Sequence, residues 1–255
     1  MVRPWVDVGS VGTLTLNRLE RFMGSKELGR LVRPGTFFDF TRYRPNMRLV
    51  DGKRMVKIPN SIIRYAITED GPDYLFLHLM EPHSNSEEYN DAVLELLTRM
   101  GVTSYVSIGS MYDSVPHTRP LAVSGSLKGW DTVPNLGGFT PSRSNYEGPT
   151  SMIGQIAQMA QDSGMATLSL MVRLPLYLQL DNDFSGSARV VEILSPLYGL
   201  GDASAERELG KQQYSQIAPA LMKDPQLAGL VKRLEAEWDE KNGGPPEVSS
   251  EESAE

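Results

Sequence analysis

The sequence predicts an α/β domain followed by a helical C-terminal region. Short β-favouring runs alternate with helical patterns as far as about residue 200, and only helical periodicity follows. The 255 residues, 40% hydrophobic and 22% charged, suffice for one sizeable core and an appendage. We therefore expect an α/β domain over 1–200, a helical extension over 201–243 and a disordered acidic tail over 244–255.

The first element is a short candidate strand, Pro4 to Val8, that leads through a glycine-containing turn into a helix over 13–23. Gly9, Ser10 and Gly12 form the turn. Backbone N–H groups at such a turn can bind an anion, but the glycine spacing is not that of a dinucleotide or P-loop motif. The alternative is a tight turn whose glycines only allow close packing.

Four β-favouring runs follow, over 37–40, 47–50, 55–58 and 62–67. Asp51-Gly52 separates the second from the third and predicts a tight hairpin, because glycine accepts the positive φ that such a turn needs. Eight basic residues lie between Arg30 and Lys57. They indicate a solvated or interface surface, with an anion-binding patch as the alternative.

The run Tyr74–Leu79 is apolar enough for a strand that is buried on both faces, as in a parallel sheet covered by helices. Ser86 is then expected to cap a helix that ends at Gly101, and residues 102–108 form the next strand. This strand, helix, strand unit predicts a sheet that is at least partly parallel.

The second half continues the alternation after a long segment, 125–150, that is rich in Gly, Pro, Ser and Asn. A helix over 151–163, a buried strand over 166–172 and a helix over 187–200 complete the expected α/β domain. Two further helices, over 203–222 and 226–241, form the extension.

Composition excludes several classes of function. A net charge of −7 and a pI near 5.1 make nucleic acid an unexpected partner. The absence of cysteine excludes disulfides and thiol nucleophiles and agrees with a reducing compartment. No run approaches the roughly 20 apolar residues of a membrane span, and no export signal is visible. We expect a cytoplasmic protein that does not associate with membranes.

Chemistry-bearing residues concentrate in the loop Pro116 to Pro120, where His117 could serve as a general base and Arg119 as an anion clamp. A structural loop, a ligand or partner site, and catalysis are the three interpretations. No G-x-S-x-G elbow supplies a nucleophile, so no catalytic residue is assigned. Thr150 and Ser151 are expected to cap a helix or to contact an anion. No metal or cofactor is expected, because His78 and His83 lack a zinc-binding spacing.

A family resemblance rests on five segments in order: 7–12, 89–100 with 106–111, 116–120, 147–151 and 172–177. Their order and spacing resemble bacterial members of the proteasome assembly chaperone 2 family. The resemblance implies a three-layer αβα sandwich with a mixed, largely parallel sheet, similar to nucleoside phosphorylases, plus C-terminal helices. It also implies homo-oligomers, a trimer or a multiple of it among them. Relatives that act on proteasomes often end in a hydrophobic-Tyr-any motif, whereas this chain ends Glu252-Ser253-Ala254-Glu255.

Two functions follow as hypotheses. The first is a non-catalytic, homo-oligomeric interaction or assembly-chaperone-like protein, whose partners are itself and possibly another protein. The second is a phosphorylase-like or ligase-like enzyme, or a small-molecule binder, with a pocket at the sheet edge. The candidate contacts in either case are Gly9, Ser10, Gly12, His117, Arg119, Thr150 and Ser151.

Overall fold

The computed structural model describes residues 7–69, 71–141, 147–148, 150–221 and 223–244. The helices are α1 (Val11–Phe22), α2 (Ser86–Arg99), α3 (Met152–Asp162), α4 (Phe184–Tyr198), α5 (Ser204–Leu221) and α6 (Pro225–Asn242). The strands are β1 (Lys26–Arg30), β2 (Asn46–Val50), β3 (Lys53–Lys57), β4 (Ile62–Ala66), β5 (Tyr74–His78), β6 (Ser104–Asp113), β7 (Val123–Lys128) and β8 (Ala166–Pro175).

The sheet strands are mixed in direction and mostly antiparallel. Strands β1, β4 and β5 pair antiparallel in that order, whereas β8 pairs parallel with β6 and antiparallel with β7. A parallel bridge joins Asp7 to Ser110. The expected largely parallel sheet is therefore not confirmed for the described strands. The apolar residues on both faces of β5 indicate only that helices cover both faces. They do not determine strand direction, because a strand with an antiparallel neighbour can be covered on both faces as well.

Helices cover both faces of these strands. Adjacent residues of β5 divide between two core clusters, Phe76 in one and Leu77 in the other, because side chains alternate across a strand. The first cluster joins the sheet to α1 and α4, and the second joins it to α2 and α3. The fold is thus a mixed α/β fold with its sheet between two layers of helices.

A two-stranded hairpin, β2 and β3, stands apart from this core. Its turn uses Asp51 at φ 49° and Gly52 at φ 75°, the two positive values that a type I′ turn requires, and this confirms the hairpin prediction. All residues of both strands are exposed, and neither strand pairs with any other described strand. We call residues 46–57 the hairpin arm.

Three local expectations were wrong. Residues 37–40 do not form a strand: a short 3-10 turn ends at Thr36, and the Asp39 carboxylate then accepts hydrogen bonds from the backbone and side chain of Thr41. This turn chemistry outweighs the β-propensity of the aromatic residues. The N-cap of α2 is Asn85 rather than Ser86. The sheet is partly parallel as the strand, helix, strand unit predicted, but the parallel partner of β6 is β8 and not β5.

The C-terminal helices form as predicted. Helix α5 packs along α4 so closely that a Cβ on Gly210 would lie 2.3 Å from Ser185 Oγ, and Arg18 of α1 pairs with Glu206 at 3.0 Å. Asp224 caps α6 by accepting hydrogen bonds from two backbone N–H groups. Within the described ranges, no helix has the length and apolarity that crossing a bilayer requires. Most of the predicted strand Pro4–Val8 and all but the start of the predicted tail lie outside the described residues.

Candidate functional site

The loops that carry the candidate residues meet at one edge of the sheet. Parallel strands β6 and β8 end at Asp113 and Pro175, so the loops that follow them, with His117 and Tyr177, leave the same edge. The turn at Gly9 follows Asp7, which bridges to Ser110 near the end of β6. The carboxyl edge of parallel strands is where α/β proteins commonly place their sites.

His117 is held by Tyr177. The Tyr177 hydroxyl accepts a hydrogen bond from the His117 backbone N–H at 2.9 Å and lies 2.8 Å from Nδ1 of the same residue. The hydroxyl can donate to Nδ1 or accept from it, according to the ring tautomer, and in either case the contact fixes the orientation of the imidazole. Burial lowers the pKa of His117. The imidazole is therefore neutral at pH 7.

Tyr214 of α5 brings a buried carboxylate into the same cluster. Its ring meets that of His117 edge to face at 5.8 Å between centroids, and its hydroxyl donates to Asp183 Oδ2 at 2.7 Å. Asp183 is fully buried, and its Oδ1 accepts from the Gly186 N–H at 2.7 Å, which caps α4. Burial raises the pKa of Asp183, and burial beside Asp183 raises that of Tyr214. We call His117, Tyr177, Asp183 and Tyr214 the junction cluster.

Arg119 points away from this cluster toward α6. Its Nε and Nη2 donate to the two carboxylate oxygens of Asp239, each at 2.8 Å, and Nη1 lies 3.5 Å from Glu235 Oε1. Thr118 donates its hydroxyl to the same Glu235 oxygen. The hydrogen bond from Arg119 lowers the pKa of Asp239. These contacts, which we call the α6 clamp, tie the loop after β6 to the last described helix.

The N-terminus of α1 is occupied by a carboxylate of the chain itself. Asp7 Oδ1 accepts from the Gly12 N–H at 2.6 Å, and Oδ2 accepts from the N–H and hydroxyl of Thr13 at 3.1 and 2.6 Å. Ser10 donates its hydroxyl to the carbonyl of Asp181 at 2.7 Å. Gly9 has φ 60°, and a Cβ there would lie 2.9 Å from that of Asp183. This turn therefore packs against the junction cluster, and Asp7 fills the position that an external anion would take.

The remaining candidates lie elsewhere. Ser151 caps α3 by accepting from the Gly154 N–H at 3.2 Å, and Thr150 precedes it on the opposite side of the sheet, where α2 and α3 pack. His78 pairs with Glu20, and His83 accepts a hydrogen bond from the Asp39 N–H. Within the described part of the chain, no cluster of three or more His, Asp or Glu side chains has metal-binding geometry.

A groove of about 640 Å³ opens beside the junction cluster, between the loop 117–121 and helices α4 and α5. Its lining carries four basic side chains, Arg119, Arg189, Arg207 and Lys211, together with the acidic Glu192. Two of them share one partner, since both Arg189 and Arg207 pair with Glu192 at 3.2 and 2.7 Å. The groove has room for a small molecule.

Five residues of the junction cluster and the α6 clamp were absent from the predicted set: Tyr177, Asp183, Tyr214, Glu235 and Asp239. Asp183 carries a usable signal, because an acidic residue directly before a helix start is a typical N-cap. Glu235 and Asp239 are four residues apart and so share one face of α6. Only the tertiary fold shows that this face meets Arg119.

The fold and the site together define a class of protein: a mixed α/β domain whose sheet-edge loop contacts two appended helices, α5 and α6. The chain belongs to the PAC2 family, whose model matches residues 1–213. The expected family is thereby confirmed. A search of the curated proteins found no match.

Solved structures share the fold at low identity. A PAC2 family protein from Streptomyces avermitilis is 23% identical, with a TM-score of 0.75 over 91% of this chain and 98% of that one. A proteasome-assembly chaperone homologue from Mycobacterium tuberculosis is 22% identical, with a TM-score of 0.73 over 91% and 100%. An archaeal proteasome activator from Pyrococcus furiosus is 15% identical, with a TM-score of 0.65 over 86% and 91%.

Proposed function

We propose that this chain is a cytoplasmic, non-catalytic, homo-oligomeric protein of the assembly-chaperone type, which acts by binding copies of itself or another protein. Family membership and the descriptions of the two proteasome-related relatives support a chaperone-like role. One observation of the site carries the proposal: the side chains best suited to chemistry are used in holding the fold together.

Arg119 and His117 both have such structural contacts. Arg119, the predicted anion clamp, gives its planar fork to Asp239. His117 has its Nδ1 2.8 Å from the Tyr177 hydroxyl and is flanked by two tyrosine rings. A general base needs a substrate proton within hydrogen-bond reach, and a clamp needs open donors. These contacts suit a scaffold that fixes the C-terminal helices.

The experiment joins two measurements on the purified chain. Sedimentation velocity over a concentration series is expected to give a closed oligomer. Incubation with a small-molecule extract, followed by untargeted mass spectrometry, is expected to give no product that depends on His117. A monomer that turns over a metabolite, with loss of turnover in His117→Gln, would refute the proposal.

The groove beside the junction cluster supports a second candidate, a small-molecule binder or phosphorylase-like or ligase-like enzyme. Arg189 and Arg207 share Glu192, whereas Lys211 has no ion-pair partner among the described residues and suits an anionic ligand. Native mass spectrometry of the purified chain tests this candidate directly. A retained small molecule that disappears in Lys211→Ala would favour it over the scaffold.

A further inference from the structure

The hairpin arm carries an apolar face that no described residue outside the arm covers. Cross-strand register places Met47 opposite Val56 and Leu49 opposite Arg54, so these four side chains share one face. Met47 is 63% exposed, Leu49 72% and Val56 56%. A two-stranded hairpin without a packed face is marginal in water. We therefore expect the apolar face of the arm to be buried against a partner surface.

The charge of the arm points to an acidic partner. Four basic residues, Arg48, Lys53, Arg54 and Lys57, stand against Asp51 alone, a net charge of +3. The whole chain carries −7, so the rest of it carries −10. A second copy of this chain thus offers the arm a surface of opposite sign.

One surface of that second copy combines the required shape and charge. A mostly apolar groove of about 340 Å³ runs between strand β1 and helix α2. Among its lining residues are Leu28, Leu31, Phe37, Ile63, Ala92 and Leu96. We call it the edge groove, because β1 is the outermost strand of its sheet and pairs on one side only with a described strand.

Acidic residues border the edge groove. Glu88 is four positions before Ala92 on α2, so the two lie on the same face, and Asp91 is adjacent; both acids are exposed. The basic side chain on the groove, Arg30, is already paired with Glu27 at 2.6 Å. The net field at the groove therefore favours a basic segment.

We propose that the apolar face of the hairpin arm of one copy docks in the edge groove of a second copy. This inference rests on the proposed homo-oligomeric function and names its interface. Met47, Leu49 and Val56 fill the groove, while Arg54, the basic residue on the same face, meets the acidic residues of α2. The free edge of β1 also leaves backbone groups for strand pairing with the arm.

Crosslinking tests the contact, because the chain has no cysteine and every introduced thiol is unique. One preparation carries Leu49→Cys and a second carries Ala92→Cys. After mixing and treatment with a short bismaleimide, the two chains are expected to join to each other. Leu49→Cys mixed with Val133→Cys, an equally exposed position outside the groove, is the control and is expected to stay unjoined.

A surface variant tests the energetics. Met47→Ser, Leu49→Ser and Val56→Ser are combined, and the oligomer is followed by light scattering. Removal of three central apolar contacts is expected to raise the dissociation constant at least about 100-fold. Circular dichroism should be nearly unchanged, because the arm lies outside both core clusters. Ile67→Ser, Val133→Ser and Leu176→Ser remove three other exposed apolar side chains as the matched control.

The outcomes separate the two proposals. An oligomer that survives the arm variant, or that gives no crosslink between the L49C and A92C chains, overturns the docking proposal and leaves the homo-oligomer intact. A wild-type chain that stays monomeric at all concentrations overturns both. Loss of the oligomer in the arm variant alone, together with the L49C–A92C crosslink, supports both.

Discussion

The Tyr214 hydroxyl is the most informative single atom to remove from the junction cluster. Tyr214→Phe keeps the ring against His117 and deletes only the donor to Asp183 Oδ2. Asp183 is fully buried, so the lost donor cannot be replaced by bulk water. The variant isolates one charge-assisted hydrogen bond between α5 and the α/β domain.

The expected cost follows from the chemistry of that bond. A hydrogen bond to a charged group contributes about 1.5–3 kcal/mol, and the 2.7 Å distance is that of a strong one. We expect the free energy of unfolding to fall by about 2 kcal/mol. For a chain of this size that corresponds to a fall in Tm of about 4–8 °C.

The cost should depend on pH with a definite sign. Burial raises the pKa of Asp183 in the folded protein, and loss of the Tyr214 donor raises it further. At a pH between the pKa of Asp183 in the folded wild type and its higher pKa in folded Tyr214→Phe, the variant binds more protons than the wild type. Lowering the pH through this range therefore favours the variant. The penalty is thus largest when Asp183 is ionised and shrinks as the pH falls through its pKa.

Urea unfolding at several pH values measures both effects. Tyr105→Phe is the matched control, because Tyr105 is also buried but its hydroxyl has no hydrogen-bond partner in the described part of the chain. Its removal should be neutral or stabilising by up to about 1 kcal/mol. A loss below about 0.5 kcal/mol in Tyr214→Phe, independent of pH, would refute the assigned role of this bond.

Three further predictions concern the α6 clamp and the sheet. Arg119→Ala should make amide exchange in α6 roughly tenfold faster by mass spectrometry, because the bidentate contact to Asp239 is lost. Because the pKa of Asp239 is lowered, the contact is fully present above the ordinary aspartate pKa of 3.8 and is lost as the pH falls through the lowered pKa. Amide exchange in α6, measured from pH 5 downward relative to intrinsic exchange, should show this loss. Gly125→Ala should destabilise the fold by about 3 kcal/mol in urea, because a Cβ there would lie 2.0 Å from the Ser169 carbonyl oxygen.

Each of these has a control. Arg119→Lys keeps the charge and loses the planar fork, so it should behave nearly as Arg119→Ala does. In Asp239→Asn, the protection of α6 relative to intrinsic amide exchange should not change with acid, and a remaining acid response of that protection would contradict the assignment to Asp239. Gly29→Ala, where the new Cβ would meet nothing within 4 Å, should be close to neutral. Equal losses at Gly125 and Gly29 would contradict the packing argument.

Local signals in the sequence predicted most elements correctly. Asp51-Gly52 predicted the hairpin because its backbone requirement is met by two residues alone. The apolar run of β5 predicted coverage on both faces but not the direction of its neighbour, since strand direction depends on connections outside the strand. Residues 37–40 were wrongly predicted to form a strand. Their aromatic side chains are apolar because they pack in the core from a turn, where Phe38 is buried beside Tyr89.

The site was predictable only in part. The loop with His117 and Arg119 was found, because prolines and titratable residues at the end of a strand are visible in sequence. Their partners were not, since Tyr214 and Asp239 lie 97 and 120 residues further on. Pairing across such separations is decided by how α5 and α6 pack. The role of these residues as contacts to a ligand or partner stays a prediction.

The Asp51–Gly52 turn also fixes how far the arm extends. Five residues per strand at about 3.3 Å each give it a length of roughly 17 Å, comparable to the radius of a small domain. Trypsin recognises four positions along this length, Arg48, Lys53, Arg54 and Lys57. A limited digest cuts them rapidly while the arm is bare and slowly once something shields it. The rate of tryptic cleavage in the arm therefore shows on a gel whether the arm is covered, and no label is needed.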